Sequence, residues 1–264
     1  MQDRYAGDLG DYLKYGLLRW LCAADVSHPA LRLGVVWYLV PDEDHNDDGK
    51  HVRYLEPGNR EAERLRTLDP DLYDRLARVV QSGRRSVKVI EDAGVLPLGT
   101  RTFSSPLDFR DLPSRAGSER VALRKEWLDG AMAATVGCDL IFADPDNGFR
   151  PASHRIPRSQ TKAVKYAYLD DELAQFVARG QSLVIYHHAG RAGRTEEQGK
   201  RRLEELEELA RQVPGCTPLG CVIARRGSVR LFLVAAAEAH RAFLSEKLRG
   251  LGTSVWDKEL RVLP

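Results

Sequence analysis

Apolar positions along the chain follow two rhythms. Over residues 11–24 (DYLKYGLLRWLCAA), Leu13, Leu17, Leu18 and Leu21 recur at helical spacing, and Gly16 does not break the pattern. Residues 33–40 (LGVVWYLV) are instead one continuous β-rich run, as expected of a strand covered on both faces. The same reading predicts strands at 101–105, 139–143, 182–187, 221–225 and 229–235. Helices are predicted at 59–82, 121–135, 170–179, 195–212 and 236–250, the first restarting at Asp69-Pro70 and the third ending at Gly180. Leu203, Leu206 and Leu209 mark the inward face of the charged 195–212 helix. Arg226-Gly227-Ser228 joins the last two strands as an antiparallel hairpin. Strands alternating with helices make an α/β protein with a doubly wound, mostly parallel sheet. A single domain over 1–264 is expected, with a helical insertion around 56–100.

Composition narrows this picture only a little. The chain has 264 residues, 43% hydrophobic and 30% charged, which is enough to bury a sizeable core. Its 40 basic and 38 acidic residues nearly cancel, so bulk charge does not announce a nucleic-acid binder. Arginine far exceeds lysine, as a GC-rich genome also produces, and two basic clusters, 150–165 and 191–202, follow candidate site strands. Four scattered cysteines without a CxxC argue against a zinc site. No apolar run reaches the roughly 20 residues of a membrane span. Residues 1–25 begin with charged and polar groups, so no signal peptide is expected and the reading is a cytoplasmic protein with reduced thiols.

Chemistry concentrates where the strand at 139–143 ends. Its apolar run stops at Asp144-Pro145-Asp146-Asn147-Gly148. Ligands of open α/β sheets bind beyond the carboxyl ends of the strands. Pro145 stiffens the turn and Gly148 lets the backbone bend sharply, leaving Asp144, Asp146 and Asn147 as acceptors at the mouth of the sheet. Such a tip can accept the N–H hydrogens of an amine and leave its lone pair free. These residues are equally good turn formers, in which case Asp144 only caps the next segment. His187 and His188 end the next strand, ahead of Arg191 in an AGRAGR stretch suited to phosphate. Lys162, Lys165, Tyr166 and Tyr168 lie in the loop after the Asp144 strand, a pattern that suits base stacking with phosphate contact or a plain exposed loop.

The stretch YAGDLGDYLKYGLLRWL, residues 5–21, together with the Asp144 tip, resembles the bacterial 23S ribosomal RNA adenine-N6 methyltransferases. That family pairs an aromatic-x-Ala-Gly-Asn segment and an Ala-Asp-x-x-Lys-His helix with an Asp-Pro-Pro-Tyr motif. Here Tyr5, Ala6, Gly7 and Asp8 run into Gly10, Asp11, Lys14 and Tyr15. The resemblance implies a Rossmann-like, class I methyltransferase fold with a seven-stranded sheet ending in an antiparallel hairpin. It also implies S-adenosylmethionine as donor and an amino group, plausible on a nucleic acid, as acceptor. Tyr5, Asp11, Lys14 and Tyr15 would then close the donor pocket, and Asp144, Asp146 and Asn147 would serve catalysis. Phe149, Lys165, Tyr166, His187, His188 and Arg191 would meet the substrate. Asp146 and Asn147 stand where the family has proline and its stacking aromatic, and Phe149 is the nearest ring. The first strand also lacks a glycine-rich loop and runs into an acidic one, 42–48, whose Asp42 would contact the donor.

Two other readings remain open. Asp42, Asp44, Asp144 and Asp146, with His45, could hold Mg2+ or Mn2+ for a nuclease or a phosphoryl or glycosyl transferase. The chain could also be a non-catalytic α/β binding protein.

Overall fold

The computed structural model describes residues 1–43, 49, 51–56, 58–113, 115–153, 155–190 and 193–263. In chain order the elements are α1 (Leu9–Cys22), β1 (Leu33–Val36), α2 (Ala62–Leu68), α3 (Pro70–Gln81), α4 (Val87–Asp92), β2 (Arg101–Phe103), α5 (Gly117–Ala134) and β3 (Leu140–Ala143). There follow α6 (Ala174–Ala178), entered through one π-helical turn at Leu169–Leu173, then β4 (Ser182–His188), α7 (Thr195–Gln212), β5 (Cys216–Ala224), β6 (Arg230–Ala237), α8 (Arg241–Leu251) and β7 (Leu260–Leu263).

The seven strands form one mixed sheet in the order β2-β1-β3-β4-β6-β5-β7. β2, β1, β3 and β4 pair in parallel. β6 returns antiparallel between β4 and β5, and β7 closes the edge antiparallel to β5. The expected α/β architecture and hairpin are present. Alternation along each strand splits the interior into two cores. Val35, Phe142, Val184 and Phe232 face α1, α3 and α8, whereas Val36, Ile141, Ile185 and Leu233 face α5, α6 and α7. Both faces are covered, so the strands read as unbroken apolar runs.

The first strand is shorter than its apolar run. β1 leaves the ladder at Val36 because Tyr38 takes a left-handed φ of 44°, although Trp37 and Tyr38 stay fully buried. The 59–82 helix divides as expected: the Asp69 side chain accepts from Leu72 N at 2.9 Å and Pro70 opens α3. No helix among the described residues is long and apolar enough to cross a membrane. The exits of β1, β3 and β4, the β5–β6 turn and the N-terminus of α1 all meet at one end of the sheet, where the chain turns outward from β1 to β2 on one side and from β3 to β4 on the other.

Candidate active site

α1 starts where the backbone needs capping. Gly7 turns at φ 82°, and the Asp8 carboxylate accepts from Asp11 N at 2.8 Å. Asp11 reaches back to accept from Gly7 N at 3.0 Å, a reciprocal cap. One turn on, Lys14 lies over Asp11 at 2.7 Å and Tyr15 donates its hydroxyl to Asp11 at 3.0 Å, as i,i+3 and i,i+4 neighbours can. The Lys14 ammonium then crosses to the tip of β3 and bonds Asp144 Oδ2 at 2.8 Å. Asp11, Lys14 and Asp144 have side chains only 3% exposed. Burial alone would lower the Lys14 pKa, but Asp11 and Asp144 outweigh it and hold the ammonium above its ordinary value.

Asp144 is fixed from both sides. Its N–H continues the ladder to Val36 O at 2.9 Å, and its carbonyl accepts from the Met1 amino group at 3.1 Å. The turn beyond is strapped to residues 165–167: Asn147 N donates to Lys165 O at 2.9 Å and Ala167 N to Gly148 O at 3.1 Å. This strap brings Lys165 to 3.4 Å from Asp146, whose carboxylate also accepts from Gln2 at 3.2 Å. Lys165 further pairs with Glu43, whose carboxyl it holds below the usual range.

These groups line a cavity of about 200 Å³ at the strand ends. Tyr5, Asp8, Asp11 and Lys14 form one wall, Asp144, Pro145, Asp146 and Asn147 the floor, and Lys165 with Glu43 one rim. Tyr186, His188, Ser228 and Arg230 complete it. The charged groups are mostly committed to one another. Lys14 spends its three donors on Asp11, Asp144 and the Met1 sulfur. Asp8 is shared between Asp11 N and Arg230, the latter at 3.0 Å. Asp144 is the exception: Oδ2 is taken by Lys14, while Oδ1 has no hydrogen-bond partner among the described residues.

Of the residues singled out from the sequence, Tyr5, Asp11, Lys14, Asp144, Asp146, Asn147, Lys165 and His188 converge here. Tyr15 stands behind them as a support for Asp11. Four others do not line the cavity. Asp42 is exposed and accepts from Arg4 N, so its neighbour Glu43 faces the site instead. Phe149 is fully buried with its ring centroid 5.4 Å from that of His187, and both belong to the packing beneath the tip. Tyr166 packs against the core on the α5–α7 side, its carbonyl bonded by Arg124. Arg191, Asp44 and His45 lie outside the described residues. Among the described residues no group of three or more His, Cys, Asp or Glu is placed to hold a metal ion.

Sequence reasoning missed Arg230 and Tyr186, and it read Asp8 only as part of a motif. Arg230 is 222 positions from Asp8, and its approach depends on Gly10: a Cβ there would stand 1.8 Å from the Arg230 Cζ. Alanine at a helical glycine normally stabilises by about 0.5–1 kcal/mol. Gly10→Ala is expected to do the reverse, costing about 2 kcal/mol as it evicts a buried guanidinium. A chemical melt showing Gly10→Ala equal to or firmer than wild type would contradict this contact.

His187 carries a pH signature. Gly148, at φ 95°, makes room for its ring, since a Cβ there would lie 2.0 Å from Nδ1. Burial, aided by Arg202 and His188, pushes the His187 imidazole down to about 3. An unfolded histidine protonates near about 6.5, so on acidification the unfolded state takes the proton first. The stability that neutral His187 contributes is complete above about pH 6.5 and is lost as pH falls toward about 3, by at most ~1.4 kcal/mol per unit. His187→Gln should therefore lose less stability than wild type in urea melts taken from about pH 7 to about pH 5. Parallel losses would rule out the titration.

No protein-family model matches the chain, and no curated protein matches it.

Proposed function

We propose that the protein is a class I S-adenosylmethionine-dependent methyltransferase that acts on an amino group. The observation that carries this reading is Asp144: one oxygen is locked by Lys14, and the other is left as an open acceptor in a cavity at the strand ends. The two stretches that resemble the methyltransferases, 130 positions apart, meet at that 2.8 Å bond. The sheet adds support, since β6 inserts antiparallel between β4 and β5, in the manner of the hairpin that ends a methyltransferase sheet.

The lining suits the donor's charged end. Arg230 would turn from Asp8 to its carboxylate, Asp8 so released would take its ammonium, and Tyr5 would close over it. The chain gives it no glycine-rich loop after β1, where Trp37 and Tyr38 are buried instead, so contact falls to the N-terminal segment and the β3 tip. When bound, S-adenosylmethionine supplies a methyl group already activated on a sulfonium. What remains for the protein is positioning. Lys14, fixed by Asp11, sets the rotamer of Asp144. Asp144 Oδ1 accepts one N–H of the incoming amine, which orients the nitrogen lone pair away from the carboxylate. The same oxygen is placed to receive the proton that the nitrogen sheds.

Calorimetric titration tests the reading. S-adenosylhomocysteine is expected to bind at micromolar Kd, and manganese is not. Binding of manganese without S-adenosylhomocysteine would transfer the case to metal-dependent chemistry.

A further inference from the structure

We infer that the amino group received at Asp144 is that of a slender aliphatic amine, which arrives as an ammonium and passes one proton to Asp144 Oδ1 before its nitrogen lone pair can attack, and not the exocyclic amine of a nucleobase. This rests on the reading above that Asp144 accepts an amine, and it goes beyond it by naming the acceptor class.

Charge is the first argument. Among the described residues the cavity is lined by five carboxylates and three side-chain cations, Lys14, Lys165 and Arg230. The Met1 amino group also lines it, and an excess of negative charge remains even when that group is counted as an ammonium. Beside that excess a cationic amine is favoured and a phosphate-bearing ligand is not. An alkylamine is protonated at neutral pH. A nucleobase amine is neutral and arrives on phosphates that the same carboxylates repel.

The free oxygen is the second argument. Asp8, Asp11 and Asp146 already accept hydrogen bonds on both oxygens, but Asp144, 2% exposed, keeps Oδ1 without a partner among the described residues. That oxygen is open to the cavity, and an ammonium N–H is the strongest hydrogen-bond complement a carboxylate oxygen can take.

Shape is the third. A flipped base is read by stacking between rings. The rings placed to do so, Phe149 and Tyr166, are turned into the packing, and Tyr5 already has the Arg4 guanidinium 5.2 Å from its centroid.

Calorimetry with pentylamine, 1-pentanol, adenosine monophosphate and, separately, S-adenosylhomocysteine tests the inference on the full chain. Pentylamine should bind at least about tenfold tighter than 1-pentanol, and salt should weaken it. Adenosine monophosphate should not bind. Asp144→Asn should bring pentylamine down to the level of the alcohol. If that variant does not fold, Asp146→Asn, which removes one negative charge from the floor, should weaken pentylamine a few-fold. Binding of adenosine monophosphate but not pentylamine overturns the inference, as does equal binding of amine and alcohol or binding of neither. S-adenosylhomocysteine separates the two claims: if it binds and pentylamine does not, only the acceptor class is wrong. If pentylamine binds and S-adenosylhomocysteine does not, the acceptor class stands and methyl transfer falls.

Discussion

Lys14→Met is expected to destabilise the fold by about 3–5 kcal/mol, the largest effect of any single change at the site. Lys14 is the cation between two carboxylates whose side chains, like its own, are 3% exposed. Methionine fills similar space but leaves Asp11 and Asp144 facing each other without it. Removing one partner of a buried ion pair costs far more than the pair contributes, because the remaining charge keeps its desolvation penalty. Urea unfolding at neutral pH measures the loss. The double variant with Asp144→Asn should cost less than the sum of the single changes, since the second substitution removes one stranded charge. A loss below about 1 kcal/mol for Lys14→Met would mean that water reaches the cluster and that its charges are ordinary surface groups.

Asp144→Asn is expected to cut turnover by about 10²–10³-fold while donor affinity stays within a few-fold, as expected when a single charged contact to the reacting group is lost. The side chain keeps its shape, and its amide oxygen still faces Lys14. The position that Oδ1 occupies becomes an N–H2 donor, which cannot accept from the incoming amine. Steady-state rates with S-adenosylmethionine, beside calorimetry with S-adenosylhomocysteine, separate the two quantities. Unchanged turnover would remove Asp144 from the chemistry. A parallel collapse of donor binding would make it a structural residue of the donor pocket.

Much of the fold was legible because each face of the sheet is covered and the helices α1, α3 and α7 each show one apolar stripe. Helix 195–212 coincides with α7, and the Asp69-Pro70 restart is where α2 gives way to α3. Three features were not legible, each for a long-range reason. β1 stops four residues before its apolar run does: the Trp37 N–H still bonds Phe103 of β2, but Leu39 and Val40 find partners outside the ladder, in Leu107 and Met1. β7 is a four-residue tail that becomes a strand only by pairing with β5. Arg230 joins the site through the space left by Gly10, which nothing local announces. The polar half of the site could be read because its residues follow a strand end and a helix start, where open α/β sheets place their ligands. Its aromatic half could not: Phe149 and Tyr166 among basic residues have the same pattern whether they stack on a ligand or pack beneath the loop, and here they pack.

The decisive measurement is a crystal structure with S-adenosylhomocysteine and an alkylamine both present. The expected result is an amine nitrogen at hydrogen-bond distance, about 2.7–3.0 Å, from Asp144 Oδ1, with Lys14 still on Oδ2. A metal ion bridging Asp144 and Asp146, or both ligands bound away from an Asp144 that contacts only Lys14, would contradict it.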